Sequence, residues 1–219
     1  MEPEKLLEKM RLALGDEGPT ALSRLRASEE CDPFRILIGT ILSQRTRDEK
    51  TSEVTERLFK KFKGAEDLAQ ADPGEVSRLI RGVGFYNMKS RRIIEAAKMV
   101  VQEYGGRVPD SMEELLKIPS VGRKTANCVL VYGFGIDAIP VDTHVHRVSN
   151  RIGIVDARTP EETERQLQAF FPREYWLVVN DLFIRFGKAV CKPIGPRHDL
   201  CTLRDDCKYY KIMAKPVKK

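Results

Sequence analysis

At 219 residues the chain is long enough for one large or two small domains with buried cores. Its 38 Lys and Arg against 32 Asp and Glu leave a net charge of +6, which permits a polyanionic partner without demanding one. No stretch approaches the ~20 consecutive apolar residues of a membrane span, no signal-peptide pattern opens the chain, and five cysteines, an odd number, argue against a secreted disulfide scaffold; a soluble, cytoplasmic protein is expected.

Taken in order, the elements are helical, with no run of strand-like alternation, so the fold class is all-α. Asp32-Pro33 supplies an N-cap and a first-turn proline ahead of the apolar Phe34 to Leu42, and Asp72-Pro73 repeats the arrangement before Glu75 to Ile80. A long helix beginning near Asn87 ends at Gly105-Gly106. It lies in a basic region, Arg81, Lys89, Arg91, Arg92, Lys98 and Arg107, which reads either as a solvated face or as a polyanion-facing one. The chain from Lys208 to Lys219 is likewise basic. Ser111 with Glu114 and Thr159 with Glu162 fit capping boxes.

Leu116 to Ala126 reads as a helix, a Pro/Gly turn and a second helix opening with a basic residue. The unpaired N–H groups of such a helix start suit a phosphate oxygen. The same dipole end disfavours the protonated form of Lys124 and makes its neutral amine easier to reach. A phosphate-gripping turn beside an amine nucleophile points to chemistry on a nucleic-acid backbone; the plainer alternative is an ordinary helical hairpin with a solvated lysine. Ile80-Arg81-Gly82-Val83-Gly84 followed by Lys89 partly repeats this unit. Downstream, Asp142 in Val141-Asp142-Thr143-His144 precedes a helical pattern and serves as its N-cap; its second oxygen remains available to stabilise positive charge on a sugar carbon. Finally, Cys191, His198, Cys201 and Cys207 lie within seventeen residues and read as a metal site. Cys31 and Cys128 sit in apolar helical patterns and read as small core residues.

The order of these motifs, hairpin with lysine, then Val-Asp-Thr-His, then a C-terminal cysteine loop, resembles the endonuclease III family of helix–hairpin–helix DNA glycosylases and abasic-site lyases, over about Asp32 to Tyr210. Gly84 to Lys89 resembles that family's Gly-aliphatic-Tyr-Asn stretch. The resemblance implies two helical domains, a six-helix bundle at 25–133 and a second domain from 1–24 and 134–219, with the active cleft between them. It implies Lys124 as the Schiff-base nucleophile and Asp142 as the catalytic carboxylate. It further implies Pro119, Ser120, Val121, Gly122 and Arg123, with His144, as DNA-binding residues. The substrate would be duplex DNA carrying damaged (oxidised) pyrimidines or abasic sites, and the protein a monomer associated with the nucleoid.

Three departures qualify the match. Ser120 stands where the family hairpin has its first glycine; a serine can cap the following helix, so the turn is expected to survive. His198 stands where the family has its second cluster cysteine, so a 4Fe-4S cluster with one imidazole ligand is the leading expectation, a Cys3His zinc site the runner-up and loss of the metal the third. Arg45 occupies the usual position of the glutamine that fills the gap left by a flipped base, with Gln44 one residue away; either one fills it. Two competing readings remain. One is a base-only mismatch glycosylase, against which Lys124 speaks. The other is a non-enzymatic DNA-binding module, against which the pair Lys124 and Asp142 speaks.

Overall fold

The computed structural model describes residues 1–15, 18, 20, 32–46 and 48–214. Cys31 and Lys215 to Lys219, which the sequence reading singled out, lie outside them, as does the expected domain start at 25. The described residues are helical, and their only β pairing is an isolated bridge between Arg81 and Val83. No helix among them is long and apolar enough to cross a membrane.

Packing divides the chain into two units. The first combines Met1–Thr20 with Ile139–Lys219. Its helices are α1 (Pro3–Leu14), α9 (Thr143–Ile152), α10 (Pro160–Phe170), α11 (Trp176–Ala189) and α12 (Lys208–Met213). Leu6, Leu7, Met10 and Leu14 recur at helical spacing on α1 and are buried with Val145, Val148, Leu167, Val179, Phe183 and Phe186. Polar bonds fasten the same helix to distant chain: the Tyr175 hydroxyl donates to Glu4 at 2.8 Å and the Thr202 hydroxyl to the Lys9 carbonyl at 2.6 Å.

The second unit, Ala21–Ala138, holds α2 (Pro33–Ser43), α3 (Asp48–Lys61), α4 (Ala65–Ala69), α5 (Pro73–Leu79), α6 (Tyr86–Tyr104), α7 (Met112–Leu115) and α8 (Arg123–Cys128). Helix α2 is buried nearly all round, from Phe34 through Leu42, and forms the centre of this core. Its start is built as the sequence dictates: Asp32 accepts from the N–H groups of Phe34 and Arg35, with Pro33 in the first turn. Asp72 accepts from Glu75 N–H in the same manner. Helix α6 ends on Gly105, whose left-handed φ of 59° lets Gly106 N–H reach the Val100 carbonyl. Past Cys128, α8 widens into a π-helix over Val129–Phe134 and stops at left-handed Gly135. There Gly133 passes so close to Pro33 that a Cβ would lie 3.1 Å from the Pro33 Cα. Cys128 is fully buried in this core, as expected.

Candidate functional site

Within the second unit the chain brings three turns together: 44–46 after α2, 80–85 before α6, and 116–122 before α8. Gln44 Nε2 donates to the Ser120 carbonyl at 3.3 Å, joining the first turn to the third. Gly84 N–H donates to Thr46 Oγ1 at 3.2 Å, joining the first to the second. The approach of those two is tight, since a Cβ on Gly84 would stand 2.8 Å from the Arg45 carbonyl oxygen. Among the described residues the non-glycine positions with left-handed φ are Arg45 (54°), Phe85 (59°) and Ser120 (67°), one per turn. Side chains avoid this region at about 1–2 kcal/mol each, and such strain gathers where function requires it.

The hairpin of the third turn survives, by a different route from the expected one. Ser120 does not cap α8; it takes the left-handed conformation a glycine would adopt, and the helix opens on Gly122, which lends no side-chain bond. The reason is register: two residues, Val121 and Gly122, separate Ser120 from the first helical residue, Arg123. Val121, 7% exposed, anchors the turn in the core, while Gly122 and Arg123 face solvent and Pro119 is half-buried. Lys124 follows as the second residue of α8 and is partly exposed.

Lys89 departs most from the sequence reading. Instead of joining a basic face it is 4% exposed. Its ammonium donates to the carbonyls of Leu42 (2.7 Å) and Gln44 (2.5 Å) and to Thr46 Oγ1 (3.1 Å). Burial draws its pKa down to about 8. On the rim, the Phe85 ring is 57% exposed and the Arg45 guanidinium lies 5.7 Å from its centroid. Neither the burial of Lys89 nor the exposed ring was legible beforehand; the echo between the 80–84 and 118–122 turns was the available signal.

In the first unit Asp142 is the N-cap of α9, as expected. It accepts from His144 N–H at 2.8 Å and Val145 N–H at 2.9 Å, and both bonds end on Oδ1, so the cap leaves Oδ2 aside. His144 is half-buried, and burial holds its imidazole below the ordinary histidine range, the Asp142 carboxylate pulling the other way. Its Nδ1 lies 3.2 Å from an Arg147 nitrogen. Arg147 also donates to the carbonyls of Thr143, Gly187 and Cys191, tying α9 to the end of α11.

Cys191, His198, Cys201 and Cys207 line one small hollow, walled by Ile152, Phe186 and Tyr210. Burial pushes the Cys201 thiol up, and Cys207 and Cys191 nearby add to the effect. Three thiols and an imidazole facing one space suit an iron–sulfur cluster or zinc. They are not drawn onto a common point: among the described residues no three Cys, His, Asp or Glu side chains form a metal-holding group. Cys207 Sγ donates to the Arg151 carbonyl at 3.2 Å, Cys191 Sγ accepts from Arg151 at 3.6 Å, and the His198 ring packs edge-on to Tyr210 at 4.9 Å.

Residues 38–173 match the family model described as HhH-GPD superfamily base excision DNA repair protein. The chain is 49% identical over 190 residues to Endonuclease III of Thermotoga maritima, a match covering 87% of this chain and 89% of that protein. It superimposes on a non-covalent Endonuclease III–DNA complex with a TM-score of 0.84 at 34% identity, over 96% of this chain and 95% of the other. A trapped Endonuclease III–DNA covalent intermediate gives a TM-score of 0.79 at 33% identity, over 95% and 99%.

Proposed function

The chain belongs to the endonuclease III family of the HhH-GPD superfamily, and from that premise we propose that it is a bifunctional DNA glycosylase and abasic-site lyase of base excision repair. Its substrates are damaged, oxidised pyrimidines and abasic sites in duplex DNA, and it acts as a monomer in the cytoplasm, on the nucleoid. The observation that carries the reading is the position of Lys124, in the first turn of the helix that the 116–122 hairpin leads into.

A stacked nucleotide is out of reach, so the target rotates out of the duplex, at a cost of a few kcal/mol that is least for a damaged base. The hairpin from Pro119 to Arg123 meets the phosphate backbone with the N–H groups of the α8 start, and His144 adds a contact from α9. Gln44 or Arg45 occupies the vacated stack. The neutral amine of Lys124 attacks the deoxyribose C1′; the C1′–N bond breaks and the base leaves with the electron pair, taking up a proton. Asp142 stabilises the cationic charge that develops on the sugar and assists the proton transfers, using the oxygen its cap leaves aside. The resulting C1′ imine acidifies C2′, and loss of a C2′ proton expels the 3′ phosphate by β-elimination.

Cys191, His198, Cys201 and Cys207 would hold a 4Fe-4S cluster, with zinc as the alternative metal. The group would be structural, securing the loop beside α9 and α11, with the Cys207 thiol, which here donates to the Arg151 carbonyl, serving as a thiolate.

Borohydride reduction is the test. Wild-type protein should be trapped covalently on an oligonucleotide bearing one oxidised pyrimidine, and Lys124→Ala should not. Trapping that persists in Lys124→Ala removes Lys124 from the role, and base release with no strand cleavage until alkali is added replaces the bifunctional reading with a base-only glycosylase.

A further inference from the structure

Beneath the 44–46 turn lies one buried ammonium. Three acceptors of this turn and its approach, two main-chain carbonyls and one hydroxyl, converge on the Lys89 ammonium, which has three N–H donors to give. Thr46 completes the net. Its hydroxyl accepts from Lys89 and from Gly84 N–H and stands 3.4 Å from the Gln44 carbonyl, to which it donates. The ammonium is buried and every donor is used, so the net has one geometry rather than several. That geometry carries Arg45 at its left-handed φ and aims Gln44 at the Ser120 carbonyl.

We propose that Lys89 is a positioning residue: through one buried ammonium it sets the shape of the Gln44–Thr46 turn, and so governs how firmly the protein engages a lesion in duplex DNA. The proposal rests on the reading above, in which this turn fills the gap left by the flipped nucleotide. Lys89 itself touches neither DNA nor the reacting atoms. A lysine suits the task because it is a compact charge with rotatable donors at the end of a long stem. That lets a side chain from the first turns of α6 reach carbonyls at the end of α2.

The variants are Lys89→Met, which keeps the stem and removes the donors, and Thr46→Val, which removes the shared hydroxyl and keeps the ammonium. Amide hydrogen exchange reads the turn directly, without any reaction. Exchange over 44–46 should rise about tenfold or more in Lys89→Met, the size of one lost charge-assisted hydrogen bond, with a smaller rise in Thr46→Val and little change at the centre of α6. Catalysis reads the consequence. On duplex DNA with an oxidised pyrimidine, Lys89→Met should lose about tenfold or more in kcat/KM, chiefly through KM. Cleavage of an abasic site in a single-stranded oligonucleotide, where there is no stack to fill, should stay within about twofold. Unchanged exchange overturns the proposal, as does a loss on the single-stranded substrate as large as that on duplex, which marks a general structural role. Should Lys89→Met not fold, Thr46→Val decides on the same readouts. A combined Gln44→Ala and Arg45→Ala variant separates the two levels. If it cleaves duplex lesions as wild type does, gap filling by this turn is wrong and the coupling to lesion engagement falls with it, while exchange still judges the clamp.

Discussion

Replacing Ser120 by glycine should stabilise the protein, an unusual outcome for a change inside a tight hairpin. The residue sits at φ 67°, where a Cβ costs about 1–2 kcal/mol. Glycine relieves that strain but gives the unfolded chain more freedom, which takes back about 0.4–1 kcal/mol. The net expectation is a gain of about 0.5–1 kcal/mol, or a rise of ~1–4 °C in the thermal midpoint for a chain of this length. Nothing else is lost, because the Gln44 bond ends on the main-chain carbonyl of residue 120 and α8 opens on Gly122 without a side-chain cap. Ser120→Ala is the control. It keeps the strain and removes only the hydroxyl, so it should lie within ~0.5 kcal/mol of wild type. Thermal or urea unfolding of the three proteins measures this directly. A Ser120→Gly protein less stable than wild type, or a Ser120→Ala protein down by a full kcal/mol, would show that the hydroxyl caps the helix after all.

Asp142→Asn should separate the cap from the chemistry. Asparagine caps as well as aspartate, so stability should hold within ~0.5 kcal/mol while base release falls ~10²–10³-fold; Asp142→Ala should lose a further ~1 kcal/mol of stability. Because burial lowers the His144 pKa in the folded protein, the unfolded chain binds more protons as pH falls below ~6.5, so stability should decline on acidification through that point. A His144→Gln variant should show a shallower decline when thermal midpoints are compared between neutral and mildly acidic buffer. Protein purified without air should be brown, with broad absorbance at the violet edge of the visible; colourless protein carrying one zinc per chain would replace the cluster with a Cys3His zinc site.

What could be read from the sequence was what depends on near neighbours. Asp32, Asp72, Ser111, Asp142 and Thr159 all accept from N–H groups two or three residues on, a relation fully contained in a short window. The box at Ser111 was read less well, because its partner carboxylate went elsewhere: Glu114 reaches Tyr104 and Lys117. At Thr159 the box holds, since Glu162 accepts from the Thr159 N–H as well as from the Arg158 N–H. Lys89 was read as a surface cation because its acceptors lie more than forty positions earlier, and only the packing of α6 against α2 discloses them. The π-helical widening after Cys128 likewise answers to α2, through the close passage of Gly133 over Pro33. The metal loop was visible as a set of donor types; the alternative partners those donors adopt, Arg151 and Tyr210, depend on the fold around them.

The tie between α1 and the last third of the chain has a consequence for how the protein is made. Leu6, Leu7, Met10 and Leu14 are made well before the side chains that bury them, which belong to residues from Ile139 onward, so at ~5–20 residues per second that oily stripe waits several seconds or more for company. The hairpin-bearing unit is complete long before then. A nascent chain stalled near residue 138 would therefore present one finished body and one sticky leader, an obvious client for a chaperone and a poor place to attach a bulky fusion.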